Sequence, residues 1–268
     1  MTGTRASGAN PLIEFKAVHK SFFVRGQQFD VVRALDLAVA PGEFLCIVGP
    51  SGSGKSTLLN MVAGLGPPST GAVSYGGRPV SEVNTEVAYL TQHDTLLPWR
   101  TVADNVGVPL ELRGMAAATR RPLVQAAIDA IGLAGFEGHY PRQLSGGMRK
   151  RAMLARTLIQ DPQAILMDEP FGPLDAQLKL MLQAELMALW ARSRKTIMFV
   201  THDIVEAITL ADRVVVLSAR PARVNLIETI AIPRPRDVHR TRFAPEFETH
   251  YERIWAAMEL GALAQVPA

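Results

Sequence analysis

The sequence predicts an α/β fold: a parallel sheet feeding a Gly-rich loop, interrupted by a helical insertion. Three observations predict it. An apolar run, Glu43–Val48, leads into GPSGSGKST at 49–57, and a helical pattern, STLLNMVAGL, opens from Ser56. From 163 onward, apolar strands alternate with amphipathic helices in a βαβ rhythm. Between about 98 and 162 the apolar period is that of helices alone.

The elements follow in order. Residues 1–11 are small and polar and read as a loose tail. LIEFKAV and FDVVRALDLAVA alternate as short strands, and the Pro41-Gly42 turn delivers the chain to the strand before the loop. Pro67-Pro68 and Gly71 break the helix that follows it. GAVSYGG then reads as a hairpin and EVAYLTQ as a strand ending at Gln92. In the insertion, Leu123, Ala127, Ala130 and Ile131 recur at helical spacing, with Pro122 near that helix's first turn. Met148, Ala152, Ala155 and Ile159 do the same after LSGG. AILMD is a strand, Leu178, Leu182, Leu186 and Leu189 mark a helix face, and TIMFV is the next strand. Helix IVEAITLAD and strand RVVVL complete the core. IPRPRD (232–237) reads as a linker to a helix at about 247–261, whose Phe247, Tyr251, Ile254, Trp255 and Met258 suggest docking. The expected organisation is a tail at 1–11, one α/β domain over 12–231 with its insertion at about 98–162, and a linker with a helix over 232–268.

With 268 residues, 48% hydrophobic and 20% charged, the chain can bury a sizeable core. Its formal charge of +3 is only mildly basic. The densest cationic cluster, Arg149-Lys150-Arg151, falls on a predicted helix, so nucleic acid is not an expected partner. Cys46, inside FLCIV, reads as a core residue, and a lone cysteine forms no disulfide within the chain. There is no apolar run of about 18 residues and no signal-peptide pattern. The chain is therefore expected to be soluble and cytoplasmic, with any membrane role arising through a partner.

Gly49, Gly54, Lys55 and Ser56 satisfy G-x-x-x-x-G-K-[ST]. A chance match has odds of about one in a hundred, and the strand before and helix after remove most of that risk. Across Gly49, Pro50, Ser51, Gly52, Ser53, Gly54, Lys55, Ser56 and Thr57, inward backbone N–H groups and a helix N-terminus suit a phosphate chain. Lys55 supplies a point charge, and the Ser56 hydroxyl can ligate Mg²⁺. Asp168 and Glu169 end a buried strand, where such sheets place their ligands. Asp168 suits a metal's water shell, and Glu169 suits a general base that polarises water. These motifs together describe a nucleotide hydrolase.

Ser145, Gly146, Gly147 and Met148 open a helix about ninety residues after the loop. They form a second anion-binding helix N-terminus with no lysine of its own. One triphosphate does not need two cradles, so this one is expected to serve the nucleotide of a second copy across a two-fold dimer.

These residues resemble the ATP-binding subunits of ABC transporters, and the likeness runs from about 12 to 218. Gln92 after a strand, GPLD at 172–175 and His202 after TIMFV match the family's remaining marks. The resemblance implies a P-loop core of the RecA-like type, an antiparallel β-subdomain and a helical subdomain bearing LSGGM. It implies that Gln92 senses the γ-phosphate and Mg²⁺ and couples to a membrane permease. His202 would contact the γ-phosphate and help Glu169 orient water, and Asp175 would communicate across the dimer. Phe22 lies where the family stacks adenine, with Phe23 as its alternative. Met148 replaces the usual glutamine and cannot make the amide's hydrogen bonds. LLPW-x-TV-x-DNV (96–106), LSGGMR and IPRPRD resemble the nitrate/sulfonate/taurine importer subfamily. That implies ATP and Mg²⁺ as cofactors, a homodimer, permease subunits, and an extracytoplasmic solute-binding protein met indirectly at the inner membrane. Leu97 and Trp99 also admit a structural role, as the apolar anchor of the insertion.

Three rivals were open to the sequence. A DNA- or ribosome-acting relative would carry coiled coils, zinc modules or tandem cassettes. A solitary kinase or GTPase would leave LSGGM without a role. An exporter commonly carries fused membrane helices.

Overall fold

A computed structural model describes residues 10–172 and 174–263, with side chains described to 259. Most of the expected N-terminal tail (1–9), Pro173 of GPLD and residues 264–268 lie outside that description. The described residues divide into two compact units, one within 1–85 and 183–268 and one within 86–182.

In the first unit, β1 (Ile13–Val24) and β2 (Gln27–Val39) form one antiparallel hairpin, longer than the two short strands expected. Its turn is Arg25-Gly26, both at positive φ (50° and 79°), the geometry that matches the strands' own twist. β4 (Thr70–Tyr75) pairs antiparallel with β1, and β5 (Arg78–Pro79) closes the expected GAVSYGG hairpin. Ile13, Phe15, Leu35, Leu37, Val39 and Val73 are buried.

The second sheet of this unit is centred on β3 (Phe44–Val48), buried at every residue. It runs parallel to both β8 (Thr196–Val200) and β9 (Arg213–Leu217). Burial on both faces explains why FLCIV, TIMFV and RVVVL read as continuous apolar runs. A further strand, β10 (Val224–Thr229), pairs antiparallel with β9 and escaped the sequence reading. Four of its six residues are charged or polar or face solvent, so it lacks that apolar signature.

Helix α1 (Lys55–Val62) begins at Gly54, whose φ of 94° is left-handed. It ends before Gly64, ahead of the Pro-Pro break expected. Gly64 has φ 71°, and a Cβ there would lie 1.9 Å from the Glu82 carbonyl oxygen, so no side chain fits. Helices α6 (Ile204–Leu210) and α7 (Pro245–Leu263) complete the unit.

IPRPRD is a tightly held strap. The Arg236 guanidinium is buried and donates to the carbonyls of Ile208, Ala211, Ile230 and Ile232. Burial, then the charge of Arg234, pulls its pKa down to about 10, so it stays charged at neutral pH. Arg234 bonds Asp212 and the Leu210 carbonyl and lies 4.0 Å over the Trp190 ring. On α7, His250 Nε2 accepts the Ala231 N–H while Nδ1 faces Glu228. Phe247, Tyr251 and Trp255 stack along the helix.

In the second unit, β6 (Val87–Leu90) runs parallel to β7 (Ala164–Asp168). Around them lie α2 (Val102–Leu112), α3 (Ala117–Ala130) and α4 (Gly146–Leu158). The expected face of α3 is displaced: Val124, Ile128 and Ile131 are buried, whereas Leu123 and Ala130 are exposed. Pro122 lies inside α3, in its second turn, because the helix starts at Ala117. Helix α5 (Ala176–Ser193) belongs to this unit through Leu182 and to the first from Gln183, and its Leu182 and Leu186 are buried, as its leucine spacing predicts. Among the described residues, no helix is long and apolar enough to cross a membrane.

Candidate functional site

The Gly-rich loop of the first unit folds around its own lysine. Lys55, buried at the start of α1, donates through Nζ to the carbonyls of Gly49 and Pro50, both at 2.9 Å. Ser51, Gly52 and Ser56 are exposed, and Thr57 is half-buried. The Ser53 hydroxyl is buried and has no hydrogen-bond partner among the described residues. An orphaned hydroxyl beside an inward ammonium and a helix N-terminus is a donor set made for an anion. Arg220 adds a strut that sequence reasoning missed: its Nε donates to the Gly52 carbonyl at 2.9 Å.

His202 is exposed on the turn between β8 and α6. The N-cap of α6 is Asp203, which accepts the Glu206 N–H. Glu206 is buried and bonded to Thr201 and Gln183.

Phe22 and Phe23 are both exposed on β1, at 44% and 74%. Phe22 pairs with Phe29 across the hairpin and carries Lys20 5.0 Å above its ring.

The second unit brings Gln92 and Glu169 together. The Gln92 side chain donates through Nε2 to Glu169 Oε2 at 3.2 Å. Glu169 stands just past β7 with φ 45°, a left-handed conformation rare for a residue with a Cβ. Asp168 is buried at the end of β7, and its charge joins burial in raising the Tyr89 pKa.

Ser145 is the N-cap of α4 and accepts the Met148 N–H at 3.2 Å. Accepting leaves its O–H proton to donate elsewhere. The Met148 contribution to this cap is a backbone one, so replacing glutamine leaves the cap intact. A Cβ on Gly147 would meet Leu178 Cδ2 at 2.3 Å. Asp175 is exposed and accepts the Leu178 N–H, capping α5 locally.

Asn105 explains much of LLPW-x-TV-x-DNV. Fully buried, it accepts the Leu97 N–H and donates to the carbonyls of Leu97, Arg100 and Thr101. Thr101 caps α2. Trp99 is 71% exposed and Leu97 only half-buried, so this pair is not the anchor of the insertion; Leu96 is buried instead.

Mg²⁺ fits the donors present. No cluster of three or more His, Cys, Asp or Glu side chains forms among the described residues. The Ser56 hydroxyl of the first unit and the Asp168 carboxylate of the second are each an oxygen donor of the kind this ion takes alongside waters and phosphate oxygens. Cys46 is free and buried, and burial raises its thiol pKa well above the ordinary value.

Comparison with known proteins agrees. The family model described as ABC transporter matches residues 32–172. An uncharacterized ABC transporter ATP-binding protein of Methanocaldococcus jannaschii is 46% identical over 235 residues, covering 88% of this chain and 86% of that one. The aliphatic sulfonates import ATP-binding protein of Bacillus subtilis is 37% identical over 240 residues (90% and 91%). The nitrate import ATP-binding protein of a Synechocystis species is 37% identical over 247 residues (90% and 93%). A solved ATP-binding cassette, dimeric and bound to ADP and Pi in a post-hydrolysis state, superposes with a TM-score of 0.75. It is 29% identical and covers 82% of this chain and 100% of that one.

Proposed function

The chain belongs to the ABC transporter family as an ATP-binding cassette, an ATPase; on that premise we propose that it energises uptake of a small anionic solute through a separate membrane permease. The observation that carries the importer reading is the likeness, over about nine-tenths of the chain, to proteins named for sulfonate and nitrate import. The exposed Trp99 and Leu112 of the second unit are apolar side chains available to a partner.

The roles follow from chemistry. Residues 49–57 hold the ATP phosphates, with Lys55 as the cation and Phe22 or Phe23 stacking the base. Ser56, Asp168 and Gln92 would hold Mg²⁺, which neutralises phosphate charge when bound. Glu169 takes the proton of the attacking water as its oxygen bonds to the γ-phosphorus, the bond from that phosphorus to the β,γ-bridging oxygen breaks, and ADP leaves with inorganic phosphate as the other product; His202 orients that water. Ser145, Gly146 and Gly147, with the Met148 amide, receive the nucleotide of a second copy, and Asp175 communicates with it. The dimer closes on ATP and opens after hydrolysis, moving the permease between its states. This work takes place at the cytoplasmic face of the inner membrane. The solute is selected by the permease and an extracytoplasmic binding protein.

Affinity purification of tagged protein from detergent-solubilised cells tests the reading. A multi-spanning permease is expected in near-stoichiometric amount. Recovery of ribosomal or other soluble components in its place contradicts it.

A further inference from the structure

The basic run beside LSGGM has no part in the roles above, yet it is not a solvated face. Lys150 is 9% exposed, and its Nζ donates to the Gln92 carbonyl at 2.5 Å. Burial lowers its pKa, opposed by the charges of Asp94 and Asp168. Arg149 Nε lies 2.9 Å from Asp94 Oδ2. Two turns on, Arg156 donates to the Thr95 carbonyl at 2.8 Å and to its hydroxyl at 2.5 Å. Three cations of one helix thus hold positions 92, 94 and 95. On its other side, the Gln92 amide holds Glu169. A continuous hydrogen-bonded chain therefore runs from the helix capped by Ser145, through Lys150 and Gln92, to the carboxylate of Glu169.

We propose that Lys150 is a positioning residue that ties the signature helix to the Gln92–Glu169 pair, so that a nucleotide engaged by Ser145 and Gly147 adjusts the base of the same chain. This rests on the dimer reading above, in which those residues serve the second copy's ATP. Each chain then senses the opposite site through its own α4, and the two sites hydrolyse cooperatively. A buried ammonium satisfied by a carbonyl suits the task, because displacing either leaves a costly unpaired group. A contiguous path becomes coupling only when removing one link changes the communication between sites.

The test compares full-length wild type, Lys150→Met and Lys150→Arg. ATP turnover is measured against ATP concentration, nucleotide binding with a fluorescent ATP analogue, and hydrogen exchange at amides 92–97. Wild type is expected to turn over cooperatively. Lys150→Met should lose about tenfold in kcat and fall to a Hill coefficient of about 1. Its exchange at 92–97 should quicken while analogue affinity holds, and Lys150→Arg should restore cooperativity. A Lys150→Met enzyme that keeps the wild-type Hill coefficient overturns the proposal, even if kcat falls, because Lys150 would then be merely structural. A wild type that binds nucleotide but never dimerises sinks the dimer reading itself. If Lys150→Met does not fold, Arg149→Met releases Asp94 instead, and unchanged cooperativity there counts against the proposal.

Discussion

The Gln92 amide donates to the Glu169 carboxylate across 3.2 Å, while the carbonyl of the same glutamine accepts the Lys150 ammonium. Glu169 adopts a left-handed backbone that its own side chain disfavours. The amide hydrogen bond orients that carboxylate. A base proposed to take a proton from water must be aimed.

Removing the amide should therefore slow turnover with little effect on nucleotide binding. For Gln92→Ala, loss of a hydrogen bond to a charged group corresponds to about 10- to 100-fold in kcat. Steady-state turnover beside equilibrium ATP binding checks this. Wild-type kcat in the variant would remove Gln92 from the mechanism.

Gly64→Ala should destabilise the first unit severely. The added Cβ meets the Glu82 carbonyl at 1.9 Å, and φ 71° is strained for alanine. Backbone has to move, at a cost of about 3 kcal/mol or more. A chemical denaturation midpoint within experimental error of wild type would contradict the clash.

Arg236→Met should detach the strap. Four carbonyls lose their shared donor, and buried acceptors left unmade cost about 3–5 kcal/mol together. That corresponds to a Tm about 6–20 °C lower for a chain of this size. Limited proteolysis should cut near 232–240 in the variant before the core. An unchanged Tm would make the strap ornamental.

Glu43 supplies a pH dependence. Burial raises its pKa above 4.5, against the Ala40 N–H and the Arg213 guanidinium that favour the anion. The folded state thus holds this proton more tightly than the unfolded one. Its stabilisation is fully present below the unfolded value and is lost as pH rises through the folded value. Wild type should gain stability relative to Glu43→Gln as pH falls from 7 toward 4.5. Urea midpoints of both proteins at the two pH values measure it, and a constant difference would contradict it.

The parallel strands and the motif helices were legible because each carries a local signal. FLCIV and TIMFV are continuous apolar runs, and GPSGSGKST demands a strand before it and a helix after it. The Arg25-Gly26 turn was present in the sequence, but no asparagine or aspartate marked it as a hairpin. β10 was illegible because an edge strand exposed along much of its length lacks the apolar signal. The α3 face slipped because Leu123 and Ala127 fit helical spacing nearly as well as Val124 and Ile128, and only packing separates them. The Pro/Arg composition of IPRPRD suggests a linker, since nothing local says that Arg236 will meet four carbonyls contributed by α6 and its C-cap, the residue after β10 and its own segment. Lys150 was visible as charge but not as contact, because its partner is a backbone carbonyl 58 residues away.

The most direct test of the central claim, an ATPase whose sites are completed by a second copy, is the Glu169→Gln variant with ATP and Mg²⁺. Loss of the base should slow hydrolysis by at least about 100-fold, leaving ATP bound. Light scattering on a sizing column should then show the mass of two chains with ATP and of one chain with ADP. A variant that stays at one chain's mass with ATP bound, or that hydrolyses ATP at the wild-type rate, would contradict the account.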